Sequence, residues 1–249
     1  MVARNVLLQY INELFQTKLY EDYAPNGLQV EGKSEIKKIV TGVTACQALI
    51  DAAIAEQADA VLVHHGYFWK GEDACIVGMK KKRVQALLKH DINLLAYHLP
   101  LDAHPELGNN AQLSRVLGLP IAGYSGKNNL IAYAKLPTSL TVSEVTKLLE
   151  QKLQRSPLVV GPQAKEIQSI AWCTGAAQGY IQAALELGAD AYISGEISEQ
   201  TTHIADECGI TYFAAGHHAT ERYGVKALGQ HLAERFAIEH TFVEIDNPV

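Results

Sequence analysis

A repeat of apolar pattern and chemistry constrains this chain more than any other feature. The stretch Ala45–Cys46–Gln47 opens a helix-patterned run that ends at Ala58–Asp59–Ala60. Ala176–Ala177–Gln178 opens another that ends at Ala189–Asp190–Ala191, 131 residues later throughout. Each run is followed downstream by an apolar segment leading to a histidine with an acid four residues on. Leu94–Tyr97 leads to His98 and Asp102, and Tyr212–Gly216 leads to His217 and Glu221. Two related αβ units that each deliver an imidazole and a carboxylate would surround one cleft with ligands if their strand ends face each other. The first unit adds His64–His65–Gly66.

The pattern of elements supports an α/β fold. A helix is predicted over Val6–Phe15, then a turn at Asp22–Gly27, where proline fixes one dihedral and Asn-Gly tolerates positive φ. Strands are predicted at Ile39–Val43, Ala60–Val63 (ending at the histidine pair) and Asn93–Tyr97. Helices are predicted over Ala45–Gln57 and Met79–Lys89, the latter basic outside with Val84, Leu87 and Leu88 inward. Such short strand–helix–strand spacing favours parallel pairing through crossover connections. A helix over Leu107–Leu117 precedes Gly118–Leu119–Pro120.

The polar turn Ser125–Asn129 then reads as a boundary, dividing the chain into a first α/β lobe, 1–126, and a second, 127–249. Beyond it, strands are predicted at Leu130–Leu136, Leu158–Val160, Ile170–Cys173, Ala191–Ser194, Thr211–Ala215 and Phe242–Ile245. Helices are predicted at Val142–Leu153, Gln178–Leu187, Thr201–Glu207 and Glu221–Phe236. The expected fold class is therefore two related αβ lobes with mainly parallel strands, of three-layer α/β/α character, with a dinuclear metal site in the cleft between them. Open parallel sheets bind ligands beyond their carboxyl strand ends, where the histidines fall.

Composition sets the outer bounds. With 249 residues, 48% hydrophobic and 19% charged, the chain can hold one large α/β domain or two smaller ones. A net charge of −6 argues against a broad nucleic-acid-binding surface. Cys46, Cys75, Cys173 and Cys208 form no C-x-x-C pair, so neither a thiolate zinc site nor a disulfide framework is implied. No signal-peptide core follows Met1 and no apolar run reaches membrane length, so a cytoplasmic protein with no membrane partner is expected.

The candidate metal ligands are His64, His65, His98, Asp102, His217 and Glu221. Gly66 permits a sharp turn that aims adjacent histidines at neighbouring positions. Read singly, the histidine pair suits any polar strand end, and residues four apart also meet as simple contacts on a helix surface. The repetition favours a metal site. Imidazole and carboxylate donors without cysteine suit zinc, iron, manganese, nickel or cobalt. Six donors point to two divalent ions per chain, with Glu221 as the preferred bridge and a shared water or hydroxide as nucleophile. Iron would instead admit redox chemistry.

His104, Glu196 and His218 are candidates for proton transfer, substrate contact or support of the ligands, against local polar bridging or salt bridging. Glu196 occupies the strand end 131 residues after His65. Tyr67, Phe68 and Trp69 are candidates for stacking a planar ring, or simply for packing. Gly175–Gln178 offers helix N-terminal amides to an anion, a weak signal. No nucleotide-binding glycine loop and no G-x-S-x-G elbow is present.

Taken together, Tyr23–Val30, His64–His65–Gly66, His98–Leu99–Pro100–Leu101–Asp102, Gly108–Asn109–Asn110 and Gly216–His217–His218–Ala219–Thr220–Glu221 resemble the family variously called Ngg1-interacting factor 3-like or GTP cyclohydrolase 1 type 2. The resemblance runs over nearly the whole chain. It implies a two-lobed α/β protein with a dinuclear site on His64, His65, Asp102, His217 and Glu221, His98 close by, and a ring-like homohexamer whose metal sites face an internal cavity. It also implies a metal-dependent hydrolase acting on a small-molecule substrate, a nucleotide or related heterocycle, with opening of the purine imidazole ring of GTP as the named reaction. A metal chaperone or ring-shaped metal-binding protein, and a two-metal phosphoesterase, are the alternatives.

Overall fold

The computed structural model describes residues 1–249 and resolves them into two compact units. The first comprises Met1–Leu101 and Gly224–Asp246, the second Asp102–Tyr223 and Asn247–Val249. The boundary expected near 126 therefore lies inside the second unit. Its polar residues form the turn of a hairpin, since Ser125 pairs with Ile131 across antiparallel strands.

In the first unit a five-stranded sheet runs in the order Glu239–Phe242, Lys38–Thr44, Ala60–His65, Asn93–Ala96, Gly27–Val30. The first four strands are parallel and the last is antiparallel. Helices Gln47–Ala55 and Gly78–Lys89 make the crossovers that parallel pairing requires. Leu49, Ile50 and Ala53 from one helix and Val84 and Leu87 from the other are buried in the core with Val40, Val61, Val63 and Leu94. Leu88, expected inward, is exposed. The final strand is Glu239–Phe242 rather than Phe242–Ile245, because pairing with Lys38–Thr41 begins as soon as the preceding helix ends. Val243 and Ile245 instead pack against the core.

The second unit holds six strands in the order Gly123–Ser125, Ile131–Thr141, Glu166–Trp172, Ala191–Ser194, Thr211–Ala214, Leu158–Val160. Only the two central pairings are parallel, which corrects the mainly parallel sheet expected here. Hairpin connection forces the first pair antiparallel, and the long Ile131–Thr141 strand also runs antiparallel to Glu166–Trp172. Helix Val142–Leu153 is set by a capping box between Thr141 and Glu144, and its buried face of Val142, Val145, Leu149 and Leu153 packs with Trp172. No helix is long and apolar enough to cross a membrane.

The repeat persists in the pairing itself. Ile39 pairs with Ala60 and Ile170 with Ala191, so both partners keep the 131-residue offset. Asp59 accepts the backbone N–H groups of Lys37 and Lys38 at 2.7 and 3.0 Å and meets Lys33 Nζ at 2.7 Å. Asp190 likewise accepts the N–H groups of Gln168 and Ser169, each at 3.0 Å, and meets Lys165 at 3.3 Å. Each aspartate thus anchors the start of the next strand. Burial opposes the Asp59 charge, but the Lys33 hydrogen bond and the two backbone donors outweigh it and hold the carboxyl below its usual range.

Asp59→Ala removes this acceptor and leaves two backbone donors in search of partners. Urea denaturation should show a loss of about 1–3 kcal/mol. A loss under ~0.5 kcal/mol would show that the anchor is dispensable. Because the folded pKa is depressed, this stabilisation is present above the unfolded value of ~3.9 and disappears as pH falls through the lower folded one.

Candidate metal centre

Parallel pairing of Ala60–His65 with Asn93–Ala96 brings their carboxyl ends to one edge of the first sheet. His64, His65 and His98 therefore gather there, each offering a ligand nitrogen within 4.8 Å of the others. The rings of His64 and His65 lie 4.5 Å apart between centroids, and those of His64 and His98 5.1 Å apart. His64 is buried at 1% exposure, and its Nδ1 lies 3.0 Å from the Tyr97 carbonyl. A carbonyl only accepts, so Nδ1 carries a proton. His65 Nδ1 is 3.2 Å from the Thr44 hydroxyl.

His98 Nδ1 is 2.6 Å from Asp22 Oδ1. Burial works against the Asp22 charge, but His98 and then Asn26 and Tyr23 hold its pKa down. Nothing in the sequence singles out Asp22 except its place at the start of the Asp22–Gly27 turn, 76 residues from its partner.

In the second unit Asp102 lies in the short helix Leu99–Ala103 and is 6% exposed. Its Oδ1 accepts Asn109 Nδ2 at 2.8 Å and the Thr174 hydroxyl at 3.3 Å. Asn110 braces the same region, donating to the Leu130 carbonyl and accepting the Thr174 N–H. His217 opens the helix His217–Phe236, so Glu221 follows one turn later, with its Oε2 3.0 Å from His217 Nε2. The helix begins four residues earlier than expected, which places both side chains on one face.

Glu196, at the end of Ala191–Ser194, puts Oε1 2.6 Å from His217 Nδ1. Burial disfavours the charged His217 ring, yet Glu221 first and Glu196 second outweigh it, and its pKa is raised to about 9. Both histidines of the two motifs are thus held at Nδ1 by a carboxylate from another element.

Gly175 (φ +69°) makes the closest backbone approach. A Cβ there would stand 2.0 Å from Glu221 Oε1 and 3.1 Å from His217 Nε2. The loop expected to greet an anion instead cradles a carboxylate. Burial, reinforced by Asp102 and Glu221, pushes the Cys173 thiol up, so the donors at hand are nitrogen and oxygen. Clusters of histidine and carboxylate are therefore compatible with metal coordination. Their chemistry suits a divalent ion, because His98 and His217 each have Nδ1 held by a carboxylate, the arrangement that orients a metal-ligating imidazole.

The remaining candidates separate. Trp69 lies edge-on to His98, with centroids 5.0 Å apart, and donates its indole N–H to the Gly66 carbonyl. Tyr67 is 5% exposed, with its hydroxyl donated to the Ala45 carbonyl. Phe68 carries Lys80 Nζ 5.1 Å from its ring centre. His104 Nδ1 accepts the N–H groups of Glu106 and Leu107. The buried His218 donates its backbone N–H to the Val249 carbonyl.

The chain matches over residues 2–248 the family described as Duf34/NIF3 (NGG1p interacting factor 3). It is 56% identical over 247 residues to a GTP cyclohydrolase 1 type 2 homolog of Yersinia pestis, covering 98% of this chain and 99% of that one. Among solved structures, protein ybgI, of unknown function, superposes with a TM-score of 0.95 at 50% identity over all of both chains. TTHA1606 from Thermus thermophilus does so with a TM-score of 0.91 at 33% identity, again over all of both chains. The chain belongs to the Duf34/NIF3 family of GTP cyclohydrolase 1 type 2 homologs.

Proposed function

We propose that this protein is a metal-dependent hydrolase of a nucleotide or related nitrogen heterocycle, with opening of the purine imidazole ring as the specific version. The observation that carries the proposal is the matched pair of carboxylate-held imidazoles, His98 with Asp22 and His217 with Glu196. In this reading His64, His65, His98, Asp102, His217 and Glu221 would hold two divalent ions, with Glu221 the preferred bridge. When bound, such ions supply Lewis acidity and lower the pKa of water.

The chain's own groups do the rest. Asp22 and Glu196 orient imidazoles, Asn109 and Thr174 orient Asp102, and Trp69 offers an aromatic edge beside His98. His104 and His218 are the candidate proton carriers in this proposal. The name of the Yersinia relative supports a guanine nucleotide as substrate. Ring opening at C8 consumes one water, and release of formate consumes a second. A homohexamer is the proposed assembly, to be weighed by native mass spectrometry.

Protein reconstituted with zinc, iron, manganese, nickel or cobalt should release formate from at least one member of a nucleotide and nucleoside panel. Metal-stripped protein should not. Phosphate esters belong in the same panel, because paired metals also serve phosphoryl transfer. Equal, background-level turnover of every heterocycle by loaded and stripped protein would sink the hydrolase. Transfer of metal to an acceptor without turnover would turn the reading to a metal chaperone.

A further inference from the structure

We infer that Asp22 is a positioning residue that fixes His98 in the tautomer bearing its lone pair on Nε2, which makes the 22–26 loop part of the metal-binding apparatus. The inference rests on the metal-binding reading given under Proposed function, but its tautomer half is decided without any metal.

Four donors surround the buried carboxylate of Asp22, whose side chain is 3% exposed. Oδ1 accepts the Tyr23 N–H at 2.6 Å and faces His98 Nδ1 at 2.6 Å. Oδ2 accepts Asn26 Nδ2 at 2.8 Å and the Leu99 N–H at 2.9 Å. Two of these donors are backbone groups and cannot reverse. Asn26 cannot reverse either, because its Oδ1 already accepts the His98 N–H at 2.8 Å. His98 Nδ1 is the one adjustable member of the set, and an ionised carboxylate only accepts. The proton therefore resides on Nδ1.

Asparagine at 22 has one acceptor and one donor end, and the same accounting says which way it turns. With its oxygen toward Tyr23 and His98, the fixed donors Leu99 and Asn26 both face an NH2 group. With its oxygen toward Leu99 and Asn26, only the Tyr23 donor is lost, because His98 can switch tautomer and accept from the NH2. The second arrangement loses fewer hydrogen bonds. It moves the imidazole proton to Nε2, the atom that ligation needs bare.

Glu196 supplies the contrast. It presents one oxygen to His217 and its side chain is 34% exposed, so glutamine there can keep its carbonyl toward Nδ1. Glu196→Gln should leave the proton on His217 Nδ1 in place.

The test uses full-length protein labelled with 15N-histidine, stripped of metal, at a pH where His98 is neutral. Long-range 15N–1H correlation reads each tautomer, and a His98→Asn variant assigns the His98 signals among the ten histidines. Wild-type His98 should show Nδ1–H, and Asp22→Asn should show Nε2–H. Titration with zinc against a chromophoric chelator should show affinity about 10–100-fold weaker for Asp22→Asn. Nε2–H in the wild type overturns the assignment even if the variant does not fold. An unchanged tautomer or unchanged zinc affinity in a folded Asp22→Asn protein also overturns it. Wild-type protein that shows Nδ1–H but takes up no zinc overturns the metal reading instead.

Discussion

Glu221→Gln should empty the metal centre while leaving the chain folded. Glu221 is 3% exposed, with one oxygen against the Gly175 backbone and the other 3.0 Å from His217 Nε2. Glutamine keeps the volume, so no cavity opens and the far-UV circular dichroism should match the wild type. What disappears is the negative charge proposed to hold both ions. Metal affinity should fall by more than about 100-fold, beyond the cost of losing an outer hydrogen-bond partner. His98 replacement should act more locally.

The metal-free protein gives a second readout for the same variant. His217 has its folded pKa raised to about 9, with Glu221 the largest favourable contributor. Its stabilising contribution is complete below the unfolded value of ~6.5 and is lost as pH rises through about 9. Melting temperature in chelator should therefore decline over that window, and Glu221→Gln should decline less steeply. A folded Glu221→Gln protein that retains two tightly held ions per chain would refute the bridging role.

Gly175→Ala should damage both stability and metal binding, although alanine is the smallest side chain available. Its φ of +69° is in the left-handed region, which costs an L-residue about 1–2 kcal/mol. The new Cβ would also sit 2.0 Å from Glu221 Oε1, where neither the backbone nor a carboxylate in contact with His217 yields cheaply. Overpacking of this kind adds roughly 1–3 kcal/mol. Gly179→Ala is the control, since a Cβ there meets nothing within 4 Å. Chemical denaturation and zinc titration of the two variants should diverge. A Gly175→Ala protein as stable and as metal-competent as Gly179→Ala would remove the cradle from the account.

Much of this was legible in the residues because a repeated motif reports on local structure twice. The 131-residue offset links Asp59 to Asp190 and His65 to Glu196, and the paired strands preserve it. The i,i+4 spacing of His217 and Glu221 is met by a helix that starts at His217. What escaped depends on distant partners or on backbone shape. Asp22 looks like any turn aspartate until the chain returns with His98, and Thr174 meets Asp102 across 72 residues. Gly175 resembled an anion loop because positive φ and close approach serve either purpose. Ser125–Asn129 resembled a linker because Gly126, Asn128 and Asn129 adopt positive φ in a hairpin turn, and the same residues suit a domain boundary. Nothing local shows the Tyr67 hydroxyl reaching Ala45.

The metal content of freshly purified full-length protein bears most directly on the central claim. Elemental analysis should find two divalent ions per chain in the wild type, and folded Glu221→Gln should lose both. A wild-type chain that carries no divalent ion, and takes none up when zinc, iron, manganese, nickel and cobalt are offered in turn, would contradict it.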